Sequence, residues 1–368
     1  MKILHTSDWH IGLQSWTGSK PTDRLEELRA SLFYLVKVAE EERVDLVLIV
    51  GDVLHSRVSP RIDALDLLSE VISRFSSIAP TFLLFGNHDW QGLSCWKNFQ
   101  LKNVHIVERP KKIELNEAVL FFLPYTDYQK LLGSSKDPIA AMREFLDSYV
   151  IEFRNQIEPS KTNILVAHAM VEGCFESERE NAIQYELKRS SFPSGFDYVA
   201  LGHVHNQLLL LQSPVAWYCG SPIALDFGEE KDVKGALLVE ISNRTQVRSI
   251  RTPHIPLKTF EYNDYSLPNL NELESQLNDF SGYARVIFKC LPSNEVRRHL
   301  LEKYPNVVKV EFETVWQDQK IEVPEQKKSL IEMYRDYVKQ RYPEHERQMI
   351  EIVQELLREV EQTETSQD

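Results

Sequence analysis

Apolar residues along this chain alternate between two spacings. Runs such as KIL, VDLVLIV (residues 44–50) and TFLLF (81–85) are apolar at nearly every position, whereas the stretches between them repeat an apolar residue every three or four places. The first spacing predicts strands buried on both faces, the second amphipathic helices. A strand is predicted over 1–7, then a helix over 21–42 with Leu25, Leu28, Leu32, Leu35 and Val36 on one side. A strand over 44–50 precedes a helix over 61–75, entered after Pro60 and carrying Leu65, Leu68, Val71 and Ile72. A strand over 81–85 follows. Strand and helix in alternation predict a layered α/β core.

From residue 104 the rhythm changes. VHIVE, KIEL and AVLFFLP predict strands joined without long crossovers. A helix over 137–156, a strand over 163–167, a charged helix around 177–188 and a strand over 197–201 come next. Segments 207–212, 215–218 and 235–241 read as antiparallel strands closing one domain, placed at 1–255. The stretch RTPHIPLKTFEYNDYSLPNL reads as a linker. Beyond it a strand (283–289), a helix (293–303) and a strand (307–314) predict a small α/β domain at 270–320. A helical segment at 325–361 follows, with apolar Leu330, Ile331, Tyr334 and Tyr337, then Ile350, Val353, Leu356, Leu357 and Val360. Such stripes suit docking into a partner's groove, or packing back on the chain itself.

Composition narrows the class without naming it. The 368 residues are 42% hydrophobic and 26% charged, as in ordinary globular proteins. No run approaches the roughly 18–20 apolar residues of a membrane span, and MKILHTSDWH lacks the features of a secretory leader, so a cytoplasmic protein without membrane contact is expected. Cys95, Cys174, Cys219 and Cys290 are widely spaced and form no CxxC pair, which fits a reducing compartment. A net charge of −13 argues against a broad nucleic-acid-binding surface. It leaves room for an enzyme whose bound cations neutralise a phosphodiester, or one with local basic patches such as Lys111-Lys112.

The candidate chemistry sits just past the ends of the predicted strands. Asp8 and His10 follow KILHTS, Asp52 follows VDLVLIVG, Asn87 follows APTFLLFG, His168 follows NILVA, and His203 and His205 follow FDYVALG. Residues two apart in extended backbone project to the same side, so Asp8 with His10, and His203 with His205, can each reach one cation. Asp52 offers a carboxylate able to bridge two ions, and Asn87 a neutral oxygen that avoids overneutralising them. Six of the eleven histidines (His10, His55, His88, His168, His203 and His205) lie on or beside these strand ends, where α/β folds place their ligands. No thiolate joins the set, which argues against a closed structural zinc site. The composition suits two divalent cations.

In this order DxH, GDxxH, GNHD, an isolated His and GHxH resemble the motifs of the calcineurin-like metallophosphoesterase superfamily. The stretches ILHTSDWHIG, GDVLHSR, GNHDW, HAMVEG with SERE, and LGHVHNQ with CGSPIALDFGE are similar to its SbcD-type nuclease branch, over about residues 1–230. The resemblance implies a sandwich of two mixed sheets flanked by helices, with a small α/β capping domain and a helical C-terminal tail. It implies one ion held by Asp8, His10, Asp52 and His205 and another by Asp52, Asn87, His168 and His203, with manganese favoured. Two ions about 3.5–4 Å apart support in-line hydrolysis of a phosphodiester without a covalent intermediate. His88 would stabilise the transition state or protonate the leaving oxygen, His55 would orient the phosphate or His88, and Asp89 would either hydrogen-bond an imidazole from behind or serve only the structure of its loop. The branch implies an ATP-dependent 3′-to-5′ double-strand exonuclease and hairpin endonuclease in DNA repair. It would be homodimeric, the 61–75 stripe serving either as a dimer face or as ordinary core packing, and would work with an SMC-like ATPase partner of the SbcC type. The alternatives are a phosphoesterase acting on a non-DNA phosphodiester or phosphomonoester, and a DNA-end scaffold with vestigial metals.

Overall fold

The computed structural model describes residues 1–89, 92–93, 96, 102–125, 137–174, 186–192 and 194–313, with eight further residues between 334 and 353. Met1–Thr314 is one compact unit and Val315–Asp368 a second. In chain order the strands are β1 (Lys2–Thr6), β2 (Gln14–Ser15), β3 (Thr22–Asp23), β4 (Leu46–Val50), β5 (Thr81–Leu84), β6 (Val104–Val107), β7 (Lys111–Glu114) and β8 (Ala118–Leu123). They continue with β9 (Thr162–His168), β10 (Met170–Val171), β11 (Glu186–Leu187), β12 (Tyr198–Gly202), β13 (Leu208–Gln212), β14 (Val215–Tyr218), β15 (Gly235–Ile241) and β16 (Thr245–Arg251). The last three are β17 (Leu257–Tyr262), β18 (Tyr283–Phe288) and β19 (Val307–Phe312). Helices α1 (Leu25–Glu42), α2 (Ile62–Ile78), α3 (Pro138–Arg154), α4 (Leu267–Asp279) and α5 (Asn294–Lys303) lie between them.

Two six-stranded mixed sheets, ordered β16-β15-β1-β4-β5-β6 and β13-β14-β12-β9-β8-β7, pack face to face. Strand parity explains the layers, because successive side chains leave a strand on opposite faces. Leu46, Leu48 and Val50 point between the sheets, where Phe82 stacks on Phe122 with ring centroids 5.3 Å apart. Val47 and Ile49 point the other way, into a cluster with Leu32 and Leu35 of α1 and Leu68, Val71 and Ile72 of α2. Val119, Phe121 and Leu165 do the same in the second sheet, against Met142, Leu146 and Val150 of α3. The result is the expected helix-flanked sandwich. The Leu68, Val71 and Ile72 stripe of α2 is therefore core, not a free dimer face.

The small domain is a parallel three-stranded sheet, β17-β18-β19, packed with α4 and α5 around Phe260, Leu273, Leu277, Val286 and Leu300. Its first strand falls within the stretch read as a linker, and its first helix begins there and runs on to Asp279. Apolar positions there are sparse (LKTFEY buries only Leu257 and Phe260), and Pro268 sits in the first turn of α4, where it is tolerated. Other departures have similar causes. Strands 208–212 and 215–218 close the second sheet, but β15 crosses to the first and lies antiparallel to β1. Edge strand β16 carries little apolar signal, because TQVRSIR is largely exposed and buries only Ile250. Helix α1 begins at Leu25, not Pro21, since Thr22 and Asp23 pair with β2. The charged helix read over 177–188 lies outside the described residues except for its last three, of which Glu186–Leu187 form a strand beside Met170–Val171. Most of the helical tail also lies outside them; the described residues there, Tyr334, Arg335, Val338, Lys339, Arg347, Met349, Ile350 and Val353, are helical. Among the described residues no helix is long and apolar enough to cross a membrane.

Candidate metal centre

Five parallel strands deliver the site, all at their C-terminal ends: β1, β4 and β5 from one sheet, β9 and β12 from the other. Backbone bonds lock the first two loops together, from Asp8 N to Gly51 O (3.0 Å) and from His10 N to Asp52 O (2.9 Å). Asp8, His10, Asp52 and His203 all adopt left-handed backbone, with φ of 53°, 46°, 50° and 103°. Such conformations are uncommon outside glycine and concentrate at functional sites. The loops are also crowded. A Cβ on Gly51 would strike the His168 ring, and one on Gly202 would strike the carbonyl of Val50.

The side chains meet in two groups. Donor atoms of Asp8, His10 and His205 lie within 4.8 Å of one another, as do those of Asp52, His168 and His203. Asp52 stands between the groups, with Oδ2 3.7 Å from His10 Nε2 and Oδ1 3.6 Å from His168 Nε2. Asn87 Oδ1 lies 3.0 Å from His168 Nε2 and 3.1 Å from His203 Nδ1. Partners behind the rings set their tautomers. His168 Nδ1 donates to Val50 O at 2.8 Å and His205 Nδ1 to Glu229 Oε1 at 2.8 Å, so each turns Nε2 towards the cleft.

Divalent cations fit this arrangement. Both ring nitrogens of His10 are buried without a hydrogen-bond partner among the described residues, a state that leaves a polar group unsatisfied unless something else occupies the space. The donor set is carboxylate, amide oxygen and imidazole, suited to manganese, iron, zinc or magnesium.

The electrostatics point the same way. Burial holds the His10 imidazole well below its ordinary range and lowers His203 to about 3, so both are neutral and able to ligate. Burial pushes the Asp8 carboxyl up, opposed by His168 and His205. Burial acts likewise on Asp52, yet the surrounding imidazoles of His168, His10, His88 and His203 hold it well below the usual carboxylate range. His205 is the exception: burial would lower it, but the bond and charge of Glu229, with Asp8, push it up to about 9. Metal-free His205 therefore keeps a proton at neutral pH that a cation must displace. Manganese affinity is expected to rise from pH 7 to pH 9 by about tenfold per unit for that one proton. Titration calorimetry across this window checks it; a flat affinity would show that no proton is displaced.

His88 and His55 form a third group with His10, their donor atoms within 4.8 Å of each other. The rings of His88 and His55 stack with centroids 5.8 Å apart, and His88 Nδ1 lies 2.8 Å from His55 O. The backbone N of His88 donates to Asp52 Oδ1 at 2.8 Å. Asp89 does not face an imidazole. Its carboxylate accepts from the backbone N–H groups of Val53 (3.0 Å), Leu54 (3.1 Å) and Gly86 (2.8 Å) and fastens two ligand loops together. Burial and the Asp52 charge push its carboxyl up to about 7. Lys112 is held in ion pairs with Glu114 and Glu158 at 2.8 and 2.7 Å, an ordinary surface network.

Sequence reading missed three supporting residues. Ser7 donates to Asp8 Oδ2, Glu229 holds His205, and buried Lys234 donates to Glu229 Oε2 at 2.7 Å and to His205 O at 2.9 Å. Glu229 ends the motif CGSPIALDFGE, so a signal existed; Lys234 follows in a turn with none.

The calcineurin-like phosphoesterase family profile matches residues 1–207. The chain is 30% identical over 276 residues to a Staphylococcus epidermidis protein named as the SbcD component of nuclease SbcCD, covering 71% of each. It is 25% identical over 327 residues to the Staphylococcus saprophyticus protein of the same name, covering 85% of each. A solved dimetal phosphatase from Danio rerio is 11% identical, with a TM-score of 0.41 over 69% of this chain and 98% of that one.

Proposed function

Since this chain belongs to the calcineurin-like phosphoesterase family, we propose that it is the nuclease component of a DNA-end-processing complex of the SbcCD type. It would trim duplex ends from the 3′ side and open hairpins, as a homodimer associated with the nucleoid, together with an SMC-like ATPase of the SbcC type and ATP. The observation that carries the substrate is the 30% identity to an SbcD component of nuclease SbcCD over 71% of the chain. The site supports a hydrolase of this kind. Asp8, His10, Asp52 and His205 would hold one divalent cation, and Asp52, Asn87, His168 and His203 the other, manganese being the favoured metal. When bound, such a pair supplies Lewis acidity to the phosphate and activates water for in-line attack.

The remaining steps belong to the side chains. His88 lies at the half-exposed rim of the cleft, its Nδ1 against the carbonyl of His55 and its backbone tied to Asp52. It would pass a proton to the departing 3′-oxygen, a contribution of about 10²–10⁴-fold for a positioned acid. His55, stacked on it, orients that ring. Asp89 keeps the Asp52 and Asn87 loops in register.

The test is manganese-dependent cleavage of a hairpin and a blunt duplex, with and without the ATPase and ATP. His88→Gln is expected to lower cleavage on the order of 10²-fold while calorimetry shows manganese still bound. Unchanged cleavage would remove His88 from the chemistry. If the intact chain with its partner cut no DNA, a non-DNA phosphoesterase or a scaffold would replace the nuclease reading.

A further inference from the structure

The segment Ala224–Glu230 touches the metal centre on one side and the small domain on the other. Towards the centre, Glu229 Oε1 accepts from His205 Nδ1 at 2.8 Å. Its other oxygen accepts from Leu225 N (2.8 Å) and from Lys234 Nζ (2.7 Å), so neither oxygen is free to turn away. Lys234 is buried and also bonds the His205 carbonyl at 2.9 Å, clasping the same ligand from its backbone side.

Towards the small domain, buried Phe227 packs with Leu257 of β17 and Val308 of β19. The Arg285 guanidinium of β18 lies 5.1 Å from the Phe227 ring centroid. Glu230 Oε2 accepts from Thr259 Oγ1 at 2.7 Å, and that hydroxyl accepts in turn from Arg285 Nε at 3.0 Å. Two residues flanking Glu229 are thus seated on the small domain's sheet, while Glu229 itself reaches into the site.

We infer that Glu229 is a positioning residue for His205 and that the seating of the small domain on Phe227 and Glu230 sets that position. This rests on the two-cation reading of the site. A partner behind a metal-binding imidazole fixes its tautomer and ring orientation, and its loss typically costs about 10–100-fold in metal affinity. The small domain would then tune one cation site of the pair without contributing a ligand.

Manganese binding to the full chain, followed by titration calorimetry, tests the inference. Glu229→Ala is expected to weaken one of two sites about 10–100-fold and leave the other near its original affinity. Glu229→Gln, which keeps an oxygen for Nδ1–H but no charge, is expected to fall between the two. Thr259→Val, far from any ligand and nearly isosteric, is expected to weaken the same site about threefold or more, as a remote second-layer change. A merely structural loss would depress both sites together, and glutamine would not restore one of them. Wild-type affinity in both Glu229 variants would overturn the positioning role, and wild-type affinity in Thr259→Val would overturn the small domain's share. If the wild type bound no manganese, the metal centre itself would fall, and this inference with it.

Discussion

An alanine at Gly86 is expected to weaken both cation sites together. The added Cβ would lie within 3.0 Å of Asp52 Oδ1 and of the Asp52 backbone nitrogen, a separation real Cβ atoms do not show. The Asp52 loop has no slack to absorb it. Its carbonyl holds His10 N, its carboxylate holds His88 N, and its backbone already sits at φ 50°. Asp52 lies against both donor groups, 3.7 Å from His10 Nε2 and 3.6 Å from His168 Nε2, so moving it disturbs both at once. A misplacement near 1 Å costs about 10²-fold in rate, and weakened metal affinity of about 10–100-fold adds to it. Hydrolysis is expected to fall on the order of 10³–10⁴-fold, with calorimetric manganese affinity weakened about 10–100-fold at both sites. Retention of either site at native affinity would show that the loop yields after all.

Asp89→Ala is expected to be the most destabilising single change in the ligand loops. It strands three buried N–H donors, those of Gly86, Val53 and Leu54. Each unsatisfied buried group costs about 1–3 kcal/mol, so a loss of about 3–9 kcal/mol is expected for the three. That is a large share of the roughly 5–15 kcal/mol that holds a typical domain together. Asp89→Asn is expected to cost less, since its amide oxygen can still accept from Val53 and Leu54 while its NH2 meets the Gly86 donor. Urea unfolding of the metal-free protein separates the two. A loss below about 1 kcal/mol for the alanine variant would mean water reaches the loop and takes the carboxylate's place.

The ligand loops were legible in the sequence because two simple signals coincide there. An all-apolar strand must be buried on both faces, and a Gly-Asp, Gly-Asn or Gly-His at its end has no reason of packing to be polar. What escaped was tertiary in origin. The two roles open to Asp89 could not be separated, because the sequence cannot show that three backbone donors converge on one carboxylate. Glu229 lies 24 residues from His205, and nothing in the spacing says that the chain folds back between them. The small domain's first strand and helix were hidden because LKTFEY and LPNLNELESQLND bury few residues, and a short element with one apolar stripe looks like a polar connector. The sorting of β15 into the other sheet is likewise set by pairing partners, which local pattern does not encode.

The position of β1 in the middle of its sheet bears on how the protein comes to exist. One neighbour, β4, follows within fifty residues, but the other, β15, pairs Lys2 with Glu240 near the far end of the sandwich. While the chain is being made, the strand that leads into Asp8 and His10 keeps one edge open until most of the domain has left the ribosome. Open edges invite pairing with other chains, and long-range closure slows folding. Asp8 and His10 on the first loop thus meet His168, His203 and His205 only once most of the domain has been made. Truncations before β15 are the ones most prone to aggregate.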